Sequence, residues 1–217
     1  MGILSASRTV PKERKNRVNR YARIGLLAIG CGLVLLITSC VAEFLNPIPP
    51  AKNLKPDSFL LGEWEMTDGK SMMRMYIYPR QSGWIDIICI ETNGTDKIRL
   101  DVYEGYTATI KQERFLCLRE REPHVYKKED KENRSGYFIG RYKITEQGLF
   151  SFGLFDVEKI RAMVLDGELK GIITSGGKVT VTSKANELIS LISKKGIDPF
   201  INSADPGGTF TFSRPKK

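Results

Sequence analysis

Most of the chain alternates apolar and polar residues with a period of two. The clearest stretch is Lys97 to Glu104, where Ile98, Leu100 and Val102 share one face and Arg99, Asp101 and Tyr103 the other. Such alternation predicts a half-buried antiparallel strand with Ile98, Leu100 and Val102 inward. Similar runs are Phe59–Met66, Ser71–Tyr78, Trp84–Glu91, Tyr106–Gln112, Arg114–Arg119, Gly136–Thr145, Leu149–Gly153, Leu169–Thr174, Lys178–Thr182 and Thr209–Ser213. The breaks carry turn residues: Asp68-Gly69, Asn93-Gly94, Glu104-Gly105, Gln147-Gly148 and Gly176-Gly177. Many short strands at this spacing predict an antiparallel barrel or sandwich, and a barrel has the merit of leaving no unpaired edge.

Two segments in the C-terminal half switch to helical spacing. In Asp156–Glu168, Val157, Ile160, Met163 and Val164 form one stripe, with Asp156 as N-cap and Gly167 as stop. In Ser183–Lys195, Ala185, Leu188, Leu191 and Ile192 do the same. Ser183 suits the cap, Lys194 and Lys195 the negative end of the dipole, and Gly196 the stop. The fold class is therefore mainly β, with two amphipathic helices (α+β).

The first 40 residues follow neither period. Seven basic residues and one acid occur in residues 1–39, and 24–40 (IGLLAIGCGLVLLITSC) carry no charge. A basic segment before an apolar one is the layout of an export signal, with the positive charges left on the inner side. The segment 24–45 is also long enough to span a bilayer as an uncleaved anchor. The net charge of +9 is concentrated here. The rest of the chain holds 27 basic and 24 acidic residues, so the charge makes no case for nucleic acid. A mean hydropathy of −0.24 excludes a polytopic membrane protein.

Ile37-Thr38-Ser39-Cys40, closing the apolar run, resembles the lipobox of bacterial lipoproteins. The resemblance implies cleavage between Ser39 and Cys40, with diacylglycerol and an acyl chain on Cys40. Val41 rather than Asp after the Cys implies the outer membrane, in a cell envelope with two membranes. The chain then divides into a signal peptide (1–39), a lipidated N-terminus with a Pro-rich tether (40–57) and one mostly-β domain (58–217).

Chemistry-bearing residues are sparse. His124 is the only His and lies in the charge-rich stretch Arg119–Arg134, which reads as a solvated hairpin arm or a binding loop. Cys89 and Cys117 lie in phase with apolar neighbours; they could form a disulfide or stay as two buried thiols. No Cys has a suitable His partner, no metal-ligand spacing appears, and no cofactor is indicated. Ser175-Gly-Gly-Lys178 lacks phosphate-loop spacing and reads as a hairpin turn. Acidic residues are numerous enough for a paired-carboxylate hydrolase, but no pair stands out.

Gly62-Glu63-Trp64 opens an early strand and Arg214 follows the last. This is similar to the G-x-W start of lipocalins, where the Trp closes the barrel floor and an Arg packs across it. The resemblance implies floor roles for Gly62, Trp64 and Arg214. The expected function is a membrane-anchored envelope lipoprotein, non-catalytic, binding an apolar small molecule or a partner protein. A carboxylate hydrolase and a purely structural component are the alternatives.

Overall fold

The computed structural model describes residues 41–52, 54–69, 71–92, 98–121, 136–201 and 209–215. The leader with Ser39 and Cys40, and the arm with His124, lie outside the described residues.

Seven strands run as an up-and-down meander: β2 (Gly62–Asp68), β3 (Ser71–Pro79), β4 (Ile85–Thr92), β5 (Ile98–Ile110), β6 (Glu113–Glu120), β7 (Phe138–Ile144) and β8 (Phe150–Leu154). The last strand, β11 (Thr209–Phe212), pairs antiparallel with β8. Glu65 and Ser213 exchange backbone hydrogen bonds of 2.8 and 2.9 Å, which brings the two ends of this eight-stranded sheet together. The result is a nearly closed antiparallel barrel.

Alternation decides what faces inward. Trp64, Met75, Ile77, Ile85, Ile87, Tyr103, Leu116, Leu118, Tyr142, Phe150 and Phe212 form one buried cluster inside the barrel. Phe150 is its aromatic centre, with Trp64 at 5.2 Å and Phe212 at 5.5 Å between ring centroids. The lumen is thus occupied by side chains, as in other small barrels.

The outer face of β5, β6 and β7 is also apolar, and a second module covers it. That module contains β1 (Glu43–Phe44), α1 (Val157–Leu165), β9 (Gly171–Ile173), β10 (Val179–Val181) and α2 (Ala185–Lys195). β1 pairs parallel with β10, which pairs antiparallel with β9. Tyr106, Ala108, Ile110, Phe115, Cys117 and Ile139 of the barrel wall share a buried cluster with Phe44, Ile160, Val181, Leu188 and Phe200 of this module. One wall therefore serves two cores.

Both helices form where the spacing predicts. Asp156 caps α1, its Oδ1 accepting from the N–H groups of Glu158 and Lys159 at 2.9 and 3.1 Å. At α2 the expected Ser183 cap is replaced. Ser183 is buried and its Oγ accepts from Lys170 N at 2.7 Å, while Glu187 reaches back to Lys184 N at 2.9 Å. Tertiary contact with the β9 lead-in competes for the serine and wins.

Three further expectations are corrected. Residues 41–57 are not a free tether. Ala42, Phe44 and Ile48 are buried in the second core, because parallel pairing with β10 and the apolar wall gives them partners. Glu104-Gly105 is not a turn, since β5 runs straight through it. A Cβ on Gly105 would stand 2.3 Å from the Cys117 carbonyl oxygen, so glycine here permits close strand approach. Finally, the phase of Ile98–Val102 is inverted. Tyr103 faces the lumen, so Arg99 and Asp101 lie on the lumen side, paired at 2.8 Å, and Ile98 and Leu100 point outward. Alternation fixes which residues share a face but not which face is buried.

Candidate functional site: an arginine–tryptophan cleft outside the barrel

The residues singled out from sequence go to three places. Gly62, Trp64 and Arg214 meet at the barrel floor. The Arg214 guanidinium lies 3.7 Å from the Trp64 ring centroid and donates to Phe59 O (2.8 Å) and Glu63 O (3.2 Å). Gly62 has φ +110°, and a Cβ there would stand 2.7 Å from Arg214 Nη1. Trp64 Nε1 donates to Leu60 O at 2.7 Å, so its one polar group is satisfied within the wall. The trio packs together where β2 begins and the last strand ends.

Cys89 and Cys117 are both free thiols. The reason is topological. They sit on β4 and β6 with β5 between, and Cys89 packs against the lumen cluster while Cys117 belongs to the outer core. Burial, reinforced by Asp101, pushes the Cys89 thiol up to about 12; burial pushes Cys117 up to about 12. Both stay protonated and are poor nucleophiles. Ser175–Lys178 is a hairpin turn between β9 and β10, with Thr174 N donating to Lys178 O at 3.0 Å. No group of three metal-ligating side chains occurs among the described residues, and no described helix is long and apolar enough to cross a membrane.

A cleft of about 510 Å³ opens on the outside of the barrel, lined by Arg80, Gln81, Ser82, Trp84, Glu104 and Arg119. Local backbone chemistry builds it. The connection from β3 to β4 is a tight turn at Gln81–Gly83, with Ser82 at φ +64° and Gly83 at φ +80°. Arg80 N donates to Trp84 O at 2.7 Å across that turn, which sets both side chains over the outer wall. A Cβ on Gly83 would stand 2.1 Å from Leu54 O, so glycine is needed where the N-terminal segment crosses.

Register supplies the rest. Glu104 is opposite Asp86 on one side and Arg119 on the other. Its Oε2 accepts from Arg80 Nη1 at 2.6 Å and its Oε1 from Arg119 Nε at 2.6 Å. Burial opposes ionisation of Glu104, but the hydrogen bonds from Arg119 and Arg80 outweigh it and hold the carboxyl below its ordinary range. Asp86 is bridged by Arg80 at 3.6 Å and Arg121 at 3.4 Å. The Arg119 guanidinium also lies over Trp84 (5.7 Å) and Tyr137 (5.4 Å). Trp84 meets Tyr106 edge-on at 5.0 Å, and Tyr106 Oη donates to Ile48 O at 2.8 Å.

Arginine and tryptophan side chains are thus fixed in place before anything binds. Arg80 and Arg119 remain 39% and 33% exposed at the side chain, so each keeps donors for an incoming acceptor. Both neighbouring carboxylates are engaged by arginines, Glu104 by Arg80 and Arg119 and Asp86 by Arg80 and Arg121.

None of these cleft residues stands out in the sequence. Arg80 and Trp84 flank the β3–β4 turn, Glu104 is on β5 and Arg119 on β6, and they meet only through the 86–104–119 register. The one local signal is Gln81-Ser-Gly83-Trp84, a turn that ends on an aromatic. No protein-family model, curated protein or solved structure matches this chain.

Proposed function

We propose that this chain is an exported bacterial lipoprotein, anchored through a diacylated and acylated Cys40, whose lipocalin-like barrel binds a partner protein non-catalytically. The partner engages the outer cleft. The observation that carries the reading is the preset Arg80–Trp84–Arg119 cluster at an open surface. Arg, Trp and Tyr are the residue types that dominate binding hot spots, because they supply area and oriented donors at low entropic cost. The two guanidiniums fit an acidic side chain of the partner, and the half-buried Trp84 ring fits an apolar one beside it. A partner protein is favoured over an apolar small molecule because the lumen, where such a molecule would lodge, is filled by Trp64, Phe150, Tyr142 and their neighbours.

The test uses the full-length chain in its own membranes, with a photo-crosslinking residue at Gln81. The expected result is a discrete cross-linked protein that disappears when Arg80→Glu is added. Loss of the adduct with Arg80→Glu but not with a charge reversal at exposed Lys143 assigns it to the cleft. Absence of any adduct, together with co-purified lipid on the native protein, contradicts this reading in favour of an apolar ligand.

A further inference from the structure

β5 is longer than the ladder that holds it on its β6 side. Tyr103–Ile110 pairs with β6, whereas Ile98–Val102 pairs with β4, and Arg121 N adds a bond to Val102 O. On the outer face of this extension Ile98 is 71% and Leu100 54% exposed. Register adds Ile88 opposite Val102, Ile90 opposite Leu100, and Met72 beside Thr92. Strands β4 and β5 thus build an apolar strip from Ile88, Ile90, Ile98, Leu100 and Val102, bordered on β3 by Arg74, which lies opposite Ile90. A contiguous surface of this kind marks a contact site rather than a random excess of apolar residues.

The N-terminal segment determines which end of the barrel this is. Val41 is bridged to Asp156, two residues past β8, and Phe44 exchanges backbone hydrogen bonds of 2.8 and 2.9 Å with Tyr137, one residue before β7. The chain then crosses the outer wall. Ile48 O meets Tyr106, the Asp57 carboxylate meets Arg114 (2.8 Å) and Tyr142 (3.0 Å), and Leu60 reaches Trp64 at the floor. Val41 therefore sits at the end where β8 finishes and β7 begins. In this antiparallel meander that is also the end where β5 begins, with Ile98 and Leu100.

Residue 40, the last of the uncharged run 24–40, is joined directly to Val41. We propose that the Ile98–Leu100 face of the β4–β5 extension rests in the interface of the lipid bilayer to which the chain is anchored. The inference rests on the anchor reading above. A bilayer must lie within one residue of Val41, at the end of the barrel that carries this surface. A second copy or another protein is under no such constraint. Held there by the anchor, outward isoleucine and leucine side chains enter the acyl boundary as those of an interfacial helix do.

The test uses the full-length chain in vesicles of its own lipid extract. An environment-sensitive fluorophore is placed on Ile98→Cys, and in a second variant on Phe59→Cys. Phe59 is also 71% exposed but lies at the floor end. Cys117 is buried and Cys89 half-buried, and both thiols are held protonated, which leaves the exposed new site as the reactive one in the barrel. The expected result is strong quenching at 98 by lipid-borne nitroxide with protection from aqueous iodide, and the reverse at 59. Equal iodide quenching at both positions in a chain that floats with the vesicles overturns the docking inference and leaves the anchor reading standing. Protection from iodide at 98 without lipid quenching means that protein covers the surface, and also overturns it. A chain that does not float with the vesicles overturns the anchor reading and, with it, the inference.

Discussion

The outer wall of the barrel is apolar in two places, and the two have opposite fates. Over β5–β7 the side chains of Tyr106, Ala108, Ile110, Phe115, Cys117 and Ile139 are buried beneath the N-terminal segment and the α/β module. Over the β4–β5 extension, Ile98 and Leu100 are exposed. The residue types are alike, so hydrophobicity alone does not make a core. What differs is whether the same chain supplies a cover. In the first region the cover is Phe44, which packs edge-on against Phe155 at 5.7 Å, together with the apolar stripes of α1 and α2. In the second the chain supplies no cover among its described residues, and the face stays exposed.

Mutations that damage the covered region should have the largest effect. Phe44→Ala should destabilise the fold by about 3–5 kcal/mol, the usual range for emptying a buried phenylalanine site, and should lower the urea midpoint accordingly. A change of under about 0.5 kcal/mol, the surface-mutation range, would mean that the N-terminal segment is a tether after all. Gly105→Ala should cost about 1–3 kcal/mol through overpacking, since the new methyl meets the Cys117 carbonyl. A neutral result there would contradict a continuous β5.

Acid should act on the cleft next. Glu104 has a lowered pKa in the folded state. Its contribution to stability is therefore complete above the ordinary glutamate pKa of about 4.3 and is lost as the pH falls through the folded value. Glu104→Gln should remove that part of the acid transition, read as melting temperature against pH between about 5 and 3. The smallest effect on folding belongs to the uncovered region. Ile98→Asp with Leu100→Asp should shift stability by no more than about 0.5 kcal/mol per site, because both side chains stay more than half exposed on folding. The same pair should abolish lipid contact at that face.

The sequence made the architecture legible and left the site hidden, for reasons seen in single residues. Period-two alternation located the strands, and Asp156 with Gly167 bounded the first helix as expected. Gly62, Trp64 and Arg214 come together because the sheet closure at Glu65–Ser213 brings the start of β2 to the end of the last strand. The phase of Ile98–Val102 was misjudged because face sharing is local, whereas inside and outside depend on Tyr103 and its register with β6. The arginine cleft was invisible because Glu104, Arg80 and Arg119 gain meaning only through cross-strand pairing. The N-terminal segment looked like a linker because four prolines between 47 and 56 resemble one, while Phe44 and Ile48 do the packing.

The most direct test of the contrast between the two regions is oxidative footprinting of the full-length protein in its own membranes. Phe44 and Ile48 should be protected by the fold, Phe59 should be oxidised freely, and Ile98 and Leu100 should be protected by the bilayer despite their exposure on the isolated chain. Oxidation of Ile98 and Leu100 at the rate expected from that exposure, alongside Phe59, would contradict the account.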